Sequence, residues 1–193
     1  MGERLSGGNA AVALLANAIA TGAGLYVLIV MFGPISGAHF NPVISAANTW
    51  EGRLPLRSCG VYMLAQFGGA FTGVLAAHLM FGLSMLQFST HLRPTPGEGV
   101  GELIATFGLV LVIQLLSTFR PSAIPAAVAA FITSAYWFTS STSFANPAVT
   151  LARAATDTFA GISPQSVPLF LGGQFIGGIA AVLFARWLLR RQP

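Results

Sequence analysis

The sequence predicts an all-α integral membrane protein, an inverted-repeat helical bundle with two half-helices meeting at the midplane. Three observations carry this reading. Of the 193 residues, 54% are hydrophobic and 7% charged, against the ~25% charge of a soluble domain, so a water-facing surface cannot be built. Charge-free runs cover residues 5–50, 58–92, 103–119, 121–152 and 158–185, and most exceed the ~20 residues that cross a hydrocarbon core. Finally, Asn-Pro occurs twice, at Asn41-Pro42 and Asn146-Pro147, each opening an apolar stretch too short to span.

Composition also excludes several function classes. The nine basic residues are all Arg against five acids, which leaves no stripe dense enough to neutralise a row of phosphates, so no nucleic-acid partner is expected. A single cysteine, Cys59, rules out an internal disulfide framework and any multi-cysteine metal site. No metal or other cofactor is expected. Residues 1–8 carry two acid or base side chains ahead of an apolar stretch too long for a signal peptide, so that stretch reads as a permanent span.

The 46 residues from 5 to 50 cannot be one helix, because at 1.5 Å each they would reach about 69 Å, twice the core thickness. Residues 10–32 make a full span, Gly33-Pro34 is expected to break it, and about eight residues after Asn41-Pro42 make half a crossing that ends at Trp50, Glu51 and Arg53. Backbone that stops at membrane depth is tolerated only where protein buries it or where it lines a watery cavity. The pattern therefore points to a pore or substrate cavity. Spans follow at 57–83, 99–119 and 125–138, the last beginning as early as Ser122. A Ser/Thr cluster at 139–143, a second half-span ending near Arg153, and a final span at 167–189 complete the order.

Placing Asn41 on Asn146 aligns residues 36–45 with 141–150, with Ser, Asn and Pro identical and Ser45 opposite Thr150. Downstream, Ala65-Gln66-Phe67-Gly68-Gly69 resembles Gly173-Gln174-Phe175-Ile176-Gly177. Two matches in the same order indicate duplication, giving one channel domain over 1–193 with repeat one at 1–92 and repeat two at 97–193. Three spans per repeat would insert the second copy upside down, so the half-helix N-termini would meet near the midplane. Pro suits the first helical turn because its missing N–H is one the helix leaves unsatisfied. Asn at the cap can bond the first-turn N–H groups and still offer its amide to the lumen. Two opposed positive helix ends disfavour cations, so a small neutral solute is the expected cargo.

Asn41, Pro42 and Val43 with Asn146, Pro147 and Ala148 resemble the paired pore motif of the aquaporin and glycerol-facilitator channels. The resemblance covers nearly the whole chain and includes Ser36-Gly37-Ala38-His39-Phe40 and Glu102-Leu103-Ile104-Ala105-Thr106-Phe107. It implies six spans with two half-helices, a pore in each subunit, a homotetramer in the lipid bilayer of a bacterial inner membrane, and passive conduction rather than enzymatic activity. In such channels each repeat opens with Glu-x-x-x-Thr. Glu102 to Thr106 supplies it for the second repeat, while the first would need it before residue 1, so the first spanning helix is expected to be missing and residues 1–8 to be the tail of a loop. The resemblance also supplies the selectivity filter: Val149 stands where water-selective members carry Arg, with Ser143 and Ser134 at two further positions and the fourth among Thr21, Gly22 and Ala23. Small, uncharged residues there imply water, glycerol-like polyols and neutral metalloid hydroxides such as arsenite, as in a bacterial branch associated with arsenical resistance. The alternatives are a strict water channel or a secondary transporter.

Bland readings stand beside these. His39 is expected to bond a neighbouring backbone carbonyl as pore support rather than act as a gate, and Glu102 to bond backbone in the loop before a half-helix. Gly68, Gly69, Gly73, Gly172, Gly173, Gly177 and Gly178 read as close helix contacts. An intramembrane enzyme would need a Gly-x-Ser-x-Gly elbow or paired carboxylates, and neither is present. With Arg53, Arg57, Arg120, Arg186, Arg190 and Arg191 inside and Arg4, Arg93 and Arg153 outside, six against three obeys the positive-inside rule.

Overall fold

A computed structural model describes residues 1–190; Arg191 of the orientation argument lies outside the described residues. The described chain is helical, with no strand. Its elements are α1 (Gly2–Leu5), α2 (Ala10–Ser36), α3 (Pro42–Trp50), α4 (Leu56–Phe81), α5 (Pro96–Phe119), α6 (Ile124–Phe138), α7 (Pro147–Arg153) and α8 (Val167–Leu189). Single 3-10 turns at Pro121–Ala123 and Pro164–Ser166 lead into α6 and α8. Five helices are long and apolar enough to cross a membrane: α2, α4, α5, and α6 and α8 each taken with its leading turn. α3 and α7 are the two short ones between them.

The expected break at Gly33-Pro34 does not occur. α2 runs through Pro34 to Ser36 and ends at Gly37, whose φ of 73° is left-handed and whose N–H bonds the Gly33 carbonyl. Proline removes one i→i−4 bond and presses on the carbonyl four residues back. Two residues from the helix end only that one bond is lost, and the helix closes on a glycine that takes positive φ without strain. α5 begins three residues before the expected Gly99, because Pro96 sits at the first turn and Glu98 reaches back to the Thr95 N–H (3.1 Å). Residues 1–8, expected as loop, include the four-residue α1. Arg4 there donates to the Phe81 carbonyl (2.7 Å) and lies over the Phe81 ring.

Glycine decides which helices approach most closely. A Cβ on Gly173 would overlap the Gly99 carbonyl oxygen and one on Gly177 the Leu103 carbonyl oxygen, so α8 lies on α5 with backbone against backbone. Gly178 receives Val43 of α3 in the same way, and Gly22 of α2 faces Thr133 of α6. The glycine expectation holds at 173, 177 and 178 but not at Gly68, Gly69, Gly73 and Gly172, where an added Cβ meets nothing within 4 Å. The first three of those are on α4, which keeps 6% of its most apolar window buried against 44% for α5 and for α8. Leu64, Leu75 and Leu79 point outward there, a neutral arrangement in hydrocarbon, where burying apolar surface between helices offers no hydrophobic gain. The central core joins Val43 and Ile44 of α3 to Ala105, Leu109 and Val110 of α5, Ile132 and Tyr136 of α6, and Ala181 and Val182 of α8.

Polar ties sit at the two ends of the bundle. At one end Arg186 Nε pairs with Glu51 Oε1 (2.6 Å) and Arg53 donates to Gln114 (2.9 Å), fixing the C-terminal end of α3 to α8 and α5. At the other, His78 Nε2 meets Thr156 Oγ1 (2.8 Å) and the backbone of Ser89 donates to Ala154, tying α4 to the segment after α7. The Thr90 N–H and hydroxyl both donate to Asp157, and these bonds hold its carboxyl below the usual carboxylate range.

Gly177→Leu is expected to force α8 off α5 and cost about 1–3 kcal/mol or more from overpacking, whereas Gly172→Leu should change little. Thermal midpoints in detergent, followed by size-exclusion recovery, check both. Equal midpoints for the two variants would contradict the close α5–α8 contact.

Candidate functional site

The site is where α3 and α7 begin. Both caps are Asn in extended backbone, with φ −153° at Asn41 and −157° at Asn146. Asn41 Oδ1 accepts from the Val43 N–H (3.0 Å), and Asn146 Oδ1 accepts from the Ala148 and Val149 N–H groups (3.0 and 3.3 Å). Each amide then crosses to the opposite loop: Asn41 Nδ2 donates to the Ala145 carbonyl (2.7 Å) and Asn146 Nδ2 to the Phe40 carbonyl (2.9 Å). A side-chain amide carries two N–H donors, so one on each Asn is used in this exchange and one remains for a ligand. Pro42, Pro147, Val43 and Ala148 are buried beneath the caps.

The loops entering the two caps share an unusual conformation. Gly37, Ala38 and Phe40 have φ of 73°, 47° and 48°; their counterparts 105 residues on, Thr142, Ser143 and Ala145, have 60°, 51° and 48°. Left-handed backbone costs a non-glycine residue about 1–2 kcal/mol, and surrounding bonds must hold it. In the second loop the clamp is Glu102, wholly buried on α5, whose Oε1 accepts from Phe144 N–H and Oε2 from Ala145 N–H, both at 2.7 Å. Gln174 of α8 donates to Glu102 and also to Thr150 of α7 (2.8 Å). Arg93 supports the same loop from the segment before α5, donating to the Ser141 carbonyl (3.0 Å).

The first loop is held differently. His39 was expected to bond a backbone carbonyl; its Nδ1 instead meets the Ser45 hydroxyl (3.1 Å), and its ring tilts against Tyr62 with centroids 5.2 Å apart. Ser45 stands one turn into α3 from the Asn41 cap, where its hydroxyl meets the ring. Gln66 of α4 donates to the same hydroxyl (2.9 Å), repeating the Gln174 to Thr150 bond of the other half.

The three filter candidates are not joined to one another by a hydrogen bond. Val149 is part-buried and lines a cavity of about 640 Å³ that Arg153, Ala152 and Gly73 also line. Ser143 is buried, and its hydroxyl has no partner. Ser134 is exposed on α6 and donates to the carbonyl of Phe131 (2.8 Å). Sequence reasoning named Thr21 among the choices for the fourth position but missed the two residues grouped with it, Tyr136 and Arg153. Tyr136, two residues past Ser134, accepts from Arg153 Nη2 (3.1 Å) and meets Thr21 Oγ1 of α2 (3.2 Å). The available signals were a tyrosine inside an apolar span and an arginine closing a half-helix.

Glu102→Gln should cost about 1–3 kcal/mol, because an amide nitrogen replaces one acceptor and leaves a buried backbone N–H unpaired. Glu102→Ala, which removes both acceptors, should cost more. Thermal midpoints and the rate of proteolysis in the 139–146 loop measure this, and a midpoint unchanged by Glu102→Ala would show that the loop does not depend on the carboxylate.

A model of the major intrinsic protein family matches residues 3–132. Aquaglyceroporin AqpS of Rhizobium meliloti (strain 1021) is 49% identical over 180 residues, covering 93% of this chain and 77% of that protein. The glycerol uptake facilitator protein of Streptococcus pneumoniae (strain ATCC BAA-255 / R6) is 33% identical over 115 residues, 52% of this chain and 49% of its own. Aquaporin NIP1-1 of Zea mays is 40% identical over 104 residues, 52% of this chain and 36% of its own. With apolar helices of spanning length, paired half-helix caps and these matches together, the chain belongs to the major intrinsic protein family of membrane channels for small neutral solutes.

Proposed function

We propose that this chain forms a wide-filter channel for neutral hydroxylated solutes larger than water, glycerol-like polyols and neutral metalloid hydroxides such as arsenite among them. The observation that carries the reading is the junction of the two half-helices. Two positive helix ends face one another, each capped by an Asn with one amide hydrogen left over, and the residue after Asn146-Pro147-Ala148 is the uncharged Val149. A solute oxygen can accept from both Asn amides in turn, while a cation meets two like-signed dipole ends. Val149, Ser143 and Ser134 add bulk and charge to the filter sparingly, so size exclusion is weak there. Similarity to an aquaglyceroporin and to a glycerol uptake facilitator supports solutes of glycerol size.

In this proposal, one channel domain comprises an inverted repeat of residues 1–92 and 97–193. Four copies assemble as a homotetramer in a bacterial inner membrane, with the arginine-rich ends of α3, α5 and α8 in the cytoplasm. Asn41, Pro42, Val43, Asn146, Pro147 and Ala148 form the pore motif, and His39 and Glu102 support it.

Stopped-flow light scattering on proteoliposomes, comparing water, glycerol and arsenite gradients, tests the cargo. Flux of glycerol and arsenite proportional to the gradient is expected; water flux alone would make this a strict water channel, and saturable gradient-coupled uptake a transporter. Val149→Arg should lower glycerol and arsenite flux far more than water flux, since a guanidinium fills the neck and excludes the wider solutes first. Equal loss of both would remove Val149 from the constriction. Asn41→Asp and Asn146→Asp should each raise proton or cation leak under voltage clamp, by placing a negative charge between the helix ends. An unchanged leak in folded variants would count against the midplane role.

A further inference from the structure

The channel reading leaves one charged group without a task. Arg153 closes α7 four residues beyond Val149, about 6 Å farther along the helix axis, and lines the same cavity. Its guanidinium is held from two sides. Nη2 donates to the Tyr136 hydroxyl at 3.1 Å, and Cζ lies 4.2 Å from the centre of the Phe144 ring. Tyr136 is itself anchored, 3% exposed, with its hydroxyl 3.2 Å from Thr21 Oγ1 across the α2–α6 contact. Phe144 belongs to the loop that Glu102 clamps, and Arg93 lies over the same ring at 5.2 Å. The guanidinium is therefore referenced to α2, α6, α7 and the α6–α7 loop together.

No carboxylate pairs with it among the described residues. Among the described residues the ion pair present is Arg186 with Glu51, at the far end of the bundle. The carboxylates lining the same cavity are Glu3 and Asp157; Asp157 accepts from the Thr90 N–H and hydroxyl, neither carboxylate is ion-paired among the described residues, and Arg4 there donates to the Phe81 carbonyl. A guanidinium has five N–H donors, and Tyr136 accepts from one of them in the described structure. A guanidinium fixed by a phenol oxygen and an aromatic face rather than by an ion pair keeps N–H donors free for whatever enters the cavity.

We propose that Arg153 is a specificity-determining residue of this channel, acting from the end of α7 as the fixed positive charge and multiple N–H donor that Val149 does not provide, with Tyr136 as its positioning residue. The proposal rests on the channel reading and adds a division of labour within it. Charge is screened at the Arg153, Tyr136 and Thr21 level, and width is set one helical turn deeper at Val149. A ring that repels cations where the passage is still broad leaves the neck free to pass a hydroxylated solute of glycerol size. Solute hydroxyls accept from Arg153 as they shed water, then from the Asn amides beyond.

The test uses the full chain in proteoliposomes, with sodium and proton leak read under an imposed potential. Arg153→Gln should raise the cation leak on the order of tenfold, the loss of about one unit charge at short range in a partly desolvated passage. Arg153→Lys, which keeps the charge without the fork, should stay near the unmutated leak, and Tyr136→Phe should lie between, because the guanidinium is freed but not removed. Arg120→Gln, at the other end of the bundle, is the control and should leave the leak unchanged. A folded Arg153→Gln protein with the unmutated leak overturns the proposal, as does a Lys variant that leaks like Gln. If Arg153→Gln fails to fold, the Lys and Phe variants decide in the same way. Glycerol flux through the unmutated protein reports on the channel reading separately, so its presence alongside an unchanged leak would overturn the Arg153 assignment alone.

Discussion

The structure depends on one constraint: every backbone N–H and C=O that leaves a helix at membrane depth must find a partner inside the protein. Lipid offers no partner there, and a group left unpaired away from the water of a pore costs several kcal/mol. The chain leaves helical geometry at that depth twice, before α3 and before α7, and Asn41, Ser45, Glu102, Ser141, Thr150 and Gln174, all buried polar side chains, are recruited to those two places. Glu102 takes two N–H groups, the Asn caps take three more, and the cap amides satisfy two carbonyls. The glycines on α8 follow from the same need. They let α8 sit against α5 closely enough for Gln174 to reach both Glu102 and Thr150.

The framework distributes its rigidity accordingly. α5 and α8 are packed backbone against backbone and carry the clamp, while α2 and α4 present long apolar faces outward. The left-handed residues at 38, 40, 142, 143 and 145 are strained individually. They persist because several independent bonds oppose their relaxation, which is how strain comes to be stored at a binding site.

Much of this was legible in the sequence where a local rule has one outcome. Asn-Pro at the start of a short apolar stretch is a helix cap, so α3 and α7 were located from it. The end of α8 at Leu189 and of α5 at Phe119 follow from where charges and Pro stand. Other features needed the third dimension. A proline ends a helix or merely skips one bond depending on how many turns remain, so Pro34 could not be decided from its type. The glycines of α4 and α8 look alike along the chain, and only the positions of α5 and α3 separate them. His39 and Ser45 are six residues apart, and Arg153 and Tyr136 seventeen; both pairings arise from the reversal at a half-helix, which no periodicity reports. The family match ends at residue 132, so the site's second half stands on its own geometry and on the relatives that extend past it.

The exchange of amide bonds between the two caps has a consequence for how the molecule is made. Asn41 and Ala145 are 104 residues apart, and Asn146 and Phe40 106, so neither loop can be completed by its own half of the chain. At ribosomal rates of about 5–20 residues per second, the first loop waits roughly 5–20 s for its partner to be synthesised. During that interval the Phe40 carbonyl and the Asn41 amide must be sheltered by something other than their native partners, whether interfacial water or the insertion machinery. Maturation of the two re-entrant segments is thus a single late event, and a lesion in one loop should be felt as slow or failed closure of the other.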